Sequence, residues 1–184
     1  MENSSNTLKI LKNIFLFSDF SEKEIRLIED FIIKKKMEKG EQIFIEGVIA
    51  REFFILASGK VKIYKLSPGG DEHILHVQNP GDLIAEAAIF DLKVYPAFCS
   101  AIEDCELLVI STERFYSLIE KNPQIAIKMM SAYSRRLREF VAKIADLTFR
   151  NVKSRLAKYI IDNADEYKIC NIPFSKKELA SLLG

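Results

Sequence analysis

The sequence has no tryptophan, two histidines, three cysteines, five prolines and seven glycines in 184 residues. Each shortage excludes something. Cys99, Cys105 and Cys170 are odd in number, and their spacing fits no zinc or redox motif. They read as reduced thiols in or near a core, not as a disulfide framework. His73 and His76 lie on one predicted strand, so they cannot supply the facing-strand metal site of a cupin-type enzyme. No nucleophile–base constellation and no Walker-type glycine loop is present, so the chain does not read as an enzyme. No apolar run approaches the ~18 residues of a membrane span, and the segment Met1 to Thr7 lacks a signal-peptide core. A soluble, cytoplasmic protein with no membrane partner is expected. Charge of one sign is lacking too. The net charge is +1, which gives no global nucleic-acid signal.

What is present is an ordinary globular balance, 48% hydrophobic and 29% charged. A chain of this length buries roughly 70% of its unfolded surface without staples. The first forty residues read as helical. Leu8, Leu11, Ile14 and Phe15 recur at helical spacing. Ser21 and Glu24 form a capping-box pattern ahead of Ile25, Ile28, Phe31 and Ile32.

The pattern changes at Lys39-Gly40-Glu41. From there to about Ile110 short β-rich runs alternate with turns. Ile43 and Ile45 alternate with Gln42, Phe44 and Glu46, and Phe53 to Ala57 is followed by Val61, Ile63 and Tyr64. Ser67-Pro68-Gly69-Gly70-Asp71 is a strong turn, followed by Ile74, Leu75 and Val77, then Asn79-Pro80-Gly81-Asp82. Leu107 to Ile110 makes a last strand. Such spacing predicts an antiparallel sandwich or barrel.

Helices return at Ser111-Thr112, with Phe115, Leu118 and Ile119 on an apolar face. Beyond Asn122-Pro123, Met130, Tyr133, Leu137, Phe140, Ile144, Leu147 and Asn151 follow a 3-4-3-4-3-4 spacing. That is a heptad seam, the pattern of a two-helix coiled coil and hence of a homodimer. The alternative is an amphipathic helix packed on its own domain. Eight basic residues against two acids between Arg135 and Lys158 suit either a phosphate-facing surface or a solvated helix face. A helix from Val152 to about Ala164 and an extended segment from Lys168 to Pro173 come next. Ser175-Lys176-Lys177-Glu178 then caps a last helix.

N-terminal helices, a β-rich domain, a long heptad helix and a closing Ser-Lys-Lys-Glu-Leu-Ala-Ser-Leu-Leu-Gly together resemble the Crp/Fnr superfamily of bacterial regulators. The resemblance covers nearly the whole chain. It implies an α+β architecture: an antiparallel jelly-roll sensor of the cyclic-nucleotide-binding type with N-terminal helices, a long dimerisation helix, and the start of a winged helix-turn-helix. The expected division is 1–121 for sensor and N-terminal helices, 122–150 for the dimerisation helix and 151–184 for an incomplete DNA-binding domain. Ser175, Lys176 and Lys177 would begin the first helix of the motif, Ala180 would sit where the second helix packs, and Gly184 would be its turn glycine. Double-stranded DNA is the implied partner.

The segment Pro80 to Phe90 resembles the family's phosphate-binding cassette. Nucleotide-binding members carry a Gly-Glu pair, then an Arg ten residues after the Glu, with Ser or Thr beside it. Arg is suited to this because its planar fork binds two phosphate oxygens. Here Gly81 opens the segment and Glu86 matches the Glu, but Ala85 replaces the Gly, Ala87 follows, and Pro96 and Ala97 stand where the Arg and hydroxyl residue would be. Aligned on the long helix, Phe140 and Val141 occupy the positions of the hydroxyl residues that meet the base. A cyclic nucleotide is therefore disfavoured as effector, although a nucleotide-responsive regulator, or a regulatory module without DNA binding, remains an alternative.

Ala85 to Ile110 most resembles a subgroup that responds to nitric oxide and nitrosative stress, controls hybrid-cluster-protein or denitrification genes and is associated with haem. That makes nitric oxide an expected effector and haem an expected cofactor. His76 is the first candidate for axial ligand, with Tyr95, Cys99, Met129 and Met130 behind it. Strand alternation predicts His73 and His76 on opposite faces, and the resemblance points His76 toward the pocket. The iron–sulfur oxygen sensor of the family needs an N-terminal cysteine cluster, and no cysteine precedes Cys99.

Overall fold

The computed structural model describes residues 2–87, 90, 94–149, 152–165, 169–173 and 175–183. Two compact units emerge, Met1–Ala132 and Tyr133–Gly184. The first holds α1 (Glu2–Asn13), a 3-10 turn at Phe15–Phe17 and α2 (Glu22–Glu29). Eight strands follow: β1 (Ile33–Met37), β2 (Gln42–Phe44), β3 (Glu52–Ser58), β4 (Val61–Leu66), β5 (Glu72–Gln78), β6 (Leu83–Ile84), β7 (Phe98–Ala101) and β8 (Cys105–Ser111). Then come α3 (Thr112–Lys121) and the first turns of α4 (Pro123–Phe149). The second unit contains the rest of α4, α5 (Val152–Asp162) and α6 (Lys176–Leu183).

The strands form two four-stranded sheets, ordered β1-β8-β3-β6 and β2-β7-β4-β5. Every strand pair is antiparallel. This is the expected jelly-roll of the cyclic-nucleotide-binding type. Between the sheets lies a core of Met37, Phe44, Phe54, Leu56, Val61, Ile84, Cys99, Ala101, Leu107 and Val109. The other face of β3 and β8 (Phe53, Ile55, Leu108 and Ile110) is buried as well. There Phe53 meets Phe115 of α3 edge-on at 5.2 Å, and Phe115 lies 6.3 Å from Phe17. Burial on both faces explains why β3 reads as an unbroken apolar run and not as an alternation. Each such side chain contributes about 1.5–3 kcal/mol.

Two local expectations change. The chain is not helical throughout its first forty residues, because Ile33–Met37 is an edge strand paired with β8. Its Lys34-Lys35-Lys36 sequence carries no apolar alternation, and lysine is what an edge strand uses to resist pairing with another chain. In the Gln42–Glu46 run, Phe44 turns inward and stacks on Tyr95 at 4.2 Å, whereas Ile45 is 50% exposed.

The caps form as the sequence indicates. The Ser21 N–H donates to Glu24 Oε2 (2.7 Å) and the Glu24 N–H to Ser21 Oγ (3.4 Å). At α6 the Ser175 N–H donates to Glu178 Oε2 (2.8 Å) and the Glu178 N–H to Ser175 Oγ (3.3 Å). α2 stops at Glu29, so Phe31 and Ile32 follow the helix instead of extending its apolar face. The unit boundary falls inside α4 and not near residue 121, because Ile125, Met129 and Ala132 on its first turns are buried in the first unit.

Candidate functional site

The cassette begins at a tight turn fixed to β3. The Gly81 N–H donates to the Leu56 carbonyl (2.8 Å), the Leu56 N–H to the Asp82 carbonyl (3.0 Å), and the Asn79 N–H to Asp82 Oδ2 (2.8 Å). Gly81 has φ +94°, where a side chain would be strained. β6 then pairs with Phe54 and Ile55, and the chain bends at Ala85.

Ala85 has φ +63°, the sole positive φ at a non-glycine position among the described residues. A left-handed conformation costs an L-residue roughly 1–2 kcal/mol. Ala85 thus holds a conformation that a glycine would take freely. Glu86 is half-buried and Ala87 exposed. Residues 88, 89 and 91–93 lie outside the description.

On the return to β7, Pro96 is exposed and Ala97 is buried. Neither side chain can donate a hydrogen bond, and Pro96 has no backbone N–H. The adjoining backbone is committed elsewhere: the Tyr95 N–H donates to the Val48 carbonyl and the Gly47 N–H to the Tyr95 carbonyl, each at 2.9 Å. Between residues 80 and 105 the sequence has one cation, Lys93, which lies outside the described residues.

β5 is the free edge of the second sheet, and both histidines on it are exposed. Strand alternation misplaces one of them. His73 opposes Lys65, Ile74 opposes Tyr64, and His76 opposes Ile63, so Leu75 is an extra residue at a bulge. Cross-strand partners project from the same side of a sheet. Lys65 and Ile63 are two residues apart on β4 and share a face, so His73 and His76 share one too. That is the face of Val61 and Cys99, which line the space between the sheets. His73 therefore does not point away from His76. A sequence pattern does not show a bulge within the Ile74-Leu75 pair, where both residues are apolar.

Tyr95, Cys99 and Met129 fit haem ligation poorly, because all three are buried. Tyr95 is 6% exposed and its hydroxyl donates to the Glu52 carbonyl (2.9 Å). Burial pushes its pKa up to about 12, so a phenolate is disfavoured. Burial, with Cys105 nearby, pushes the Cys99 thiol up to about 12 as well. Met129 is packed in the core, while Met130 is 60% exposed on α4. Of the candidates, His76 and Met130 are exposed, and His76 stands opposite Ile63 of β4.

In the second unit, Leu137 (64%), Phe140 (51%), Val141 (59%) and Ile144 (63%) are exposed and Tyr133 is half-buried. The Arg136 guanidinium lies 5.9 Å from the Phe140 ring. The side chains of Leu147 and Ala180, and residues Asn151 and Gly184, lie outside the description. Arg136, Arg138, Lys143 and Lys153 are exposed, as are Ser175, Lys176 and Lys177.

Residues 34–122 match the cyclic nucleotide-binding domain family. The cyclic AMP receptor protein of Thermus thermophilus is 30% identical over 147 residues, which is 80% of this chain and 68% of that protein. The chain belongs to the Crp/Fnr family of transcriptional regulators. The CRP-like cAMP-activated global transcriptional regulator of Mycobacterium tuberculosis is 30% identical over 70% of this chain, and the match spans 58% of its length. Among solved structures, the sensor domain of the transcriptional regulator DNR from Pseudomonas aeruginosa has a TM-score of 0.66 and 29% identity, covering 77% of this chain and 95% of that one. These relatives are named as regulators and receptors, not as enzymes.

Proposed function

We propose that this Crp/Fnr chain senses an effector other than a cyclic nucleotide, with haem and nitric oxide as the leading pair, and acts as a homodimer that regulates transcription through DNA. The observation that carries the proposal is Pro96 with Ala97 where a phosphate-binding member needs an arginine and a hydroxyl. A phosphate taken from water without a cationic partner is strongly disfavoured. The backbone takes a positive φ at Ala85, where the resemblance places a glycine, while Pro96 and Ala97 offer no side-chain donor to a phosphate. The names of the two curated relatives favour the competing reading, a cyclic-AMP-responsive regulator.

The exposed apolar row Leu137, Phe140 and Ile144 on α4 would be buried by the same row of a second copy. Effector binding would shift the two α4 helices and so re-aim the DNA-binding elements that begin at α6. Haem, when bound, would supply a site for a diatomic gas. The chain would supply an imidazole from the exposed histidine face of β5.

The test is an absorption titration of the purified chain with haemin, with and without nitric oxide. A stoichiometric Soret shift that nitric oxide displaces is expected, and its loss in His76→Ala identifies the ligand. No shift at stoichiometric haemin rejects the haem reading.

A further inference from the structure

The bulge at Leu75 does more than reorient one side chain. In a regular strand, residues three apart face opposite ways. Here the extra residue turns the three-residue separation of His73 and His76 into the spacing of a two-residue one, since their partners Lys65 and Ile63 are two apart on β4. Residues two apart on a strand are separated by about 6.6 Å, a distance that two imidazole rings on one face span with a metal ion between them. We propose that His73 and His76 form a two-nitrogen chelate for a divalent transition-metal ion such as Zn2+, Ni2+ or Cu2+.

Three features support the assignment. Imidazole nitrogen is a preferred donor for these borderline cations. β5 is an edge strand and both rings are exposed, so an ion reaches them without any rearrangement of the core. The cation beside the pair, Lys65, is ion-paired with Glu46 across the sheet, which offsets its repulsion of a bound metal. Among the described residues no cluster of three or more His, Cys, Asp or Glu side chains is placed to hold an ion. The site is therefore a two-ligand one whose remaining positions are left to water or to a small anionic or neutral ligand. A structural zinc site, by contrast, is closed by four protein ligands. The proposal is independent of the haem reading, because the ion is bound without a porphyrin.

The test is calorimetric titration of the full chain with ZnCl2 and NiCl2, free of haemin. Copper electron paramagnetic resonance supplies a ligand signature. One ion per chain and superhyperfine splitting from two nitrogens are expected. His73→Ala and His76→Ala should each weaken binding at least tenfold while leaving the circular dichroism spectrum unchanged, and Cys170→Ser should leave binding intact. Deleting Leu75 removes the bulge but keeps both histidines on one face, so binding should persist in that variant. The proposal is overturned if the wild type shows no saturable binding at one ion per chain. It is equally overturned if either histidine variant binds as the wild type does.

Discussion

The Glu24 carboxylate on α2 accepts a hydrogen bond from the Lys128 ammonium on α4 at 2.6 Å, while the same carboxylate closes the capping box on Ser21. One side chain thus fixes the start of a helix and ties it to the helix that carries the heptad row. Burial alone would raise the Glu24 pKa, but hydrogen bonds from Lys128 and Ser21 outweigh it and hold the group below its ordinary 4.5. A carboxyl with a depressed folded-state pKa contributes stability above its unfolded pKa, and that stability is lost as pH falls through the folded value. Glu24→Gln keeps a residue that can cap but removes the charge. It should cost about 1 kcal/mol at neutral pH, and its urea-unfolding stability should fall less than that of the wild type as pH drops from about 5 to about 3. Equal acid sensitivity in both proteins would contradict the tie.

Gly59 and Gly70 make a matched pair. Both have positive φ (+80° and +89°), but a Cβ on Gly59 would stand 2.3 Å from the Asp104 carbonyl oxygen and 2.6 Å from Cys105 Cβ, whereas one on Gly70 meets nothing within 4 Å. Gly70→Ala should cost up to about 1 kcal/mol, the left-handed penalty less the entropy that alanine removes from the unfolded chain. Gly59→Ala should cost more, since backbone must move as well. Thermal unfolding of the two variants measures the difference, and equal losses would show that the approach at Cys105 is not tight.

At Ala85 the sign reverses. Glycine relieves a left-handed penalty of roughly 1–2 kcal/mol and adds about 0.5–1 kcal/mol of unfolded-state entropy. Ala85→Gly should therefore raise stability by up to about 1 kcal/mol, or roughly 2–4 °C in melting temperature for a chain of this size. A lowered melting temperature would mean that the alanine methyl packs more favourably on the core than its strain costs.

The heptad row is tested by charge. Leu137 and Ile144 are 64% and 63% exposed in the single chain. Leu137→Asp with Ile144→Asp should turn a dimer into a monomer in sedimentation at micromolar concentration. A wild type that sediments as a monomer contradicts the seam.

Much of this was legible in the sequence because local signals and long-range packing agree. The capping boxes at Ser21 and Ser175, the turn at Asn79 to Asp82 and the β-rich middle form as their residues indicate. Three things were not legible, each for a physical reason. β1 is an edge strand of lysines, without the apolar alternation that marks a strand. Phe44 and Ile45 are both apolar, so alternation alone does not say which turns inward. The bulge at Leu75 leaves no mark in an amphipathic run, yet it decides which way His73 faces. For the cassette-like segment the sequence places Pro96 and Ala97 where the resemblance expects donors, and the structure added a positive φ at Ala85 that no sequence pattern indicates.

The central claim is that Pro96 and Ala97 leave this segment without the groups that would bind a cyclic phosphate. The most direct measurement is calorimetric titration of the chain with cyclic AMP, beside a variant carrying Pro96→Arg and Ala97→Ser. The account predicts no saturable heat for the wild type and measurable binding for the variant. Tight, stoichiometric binding of cyclic AMP by the wild type would contradict it.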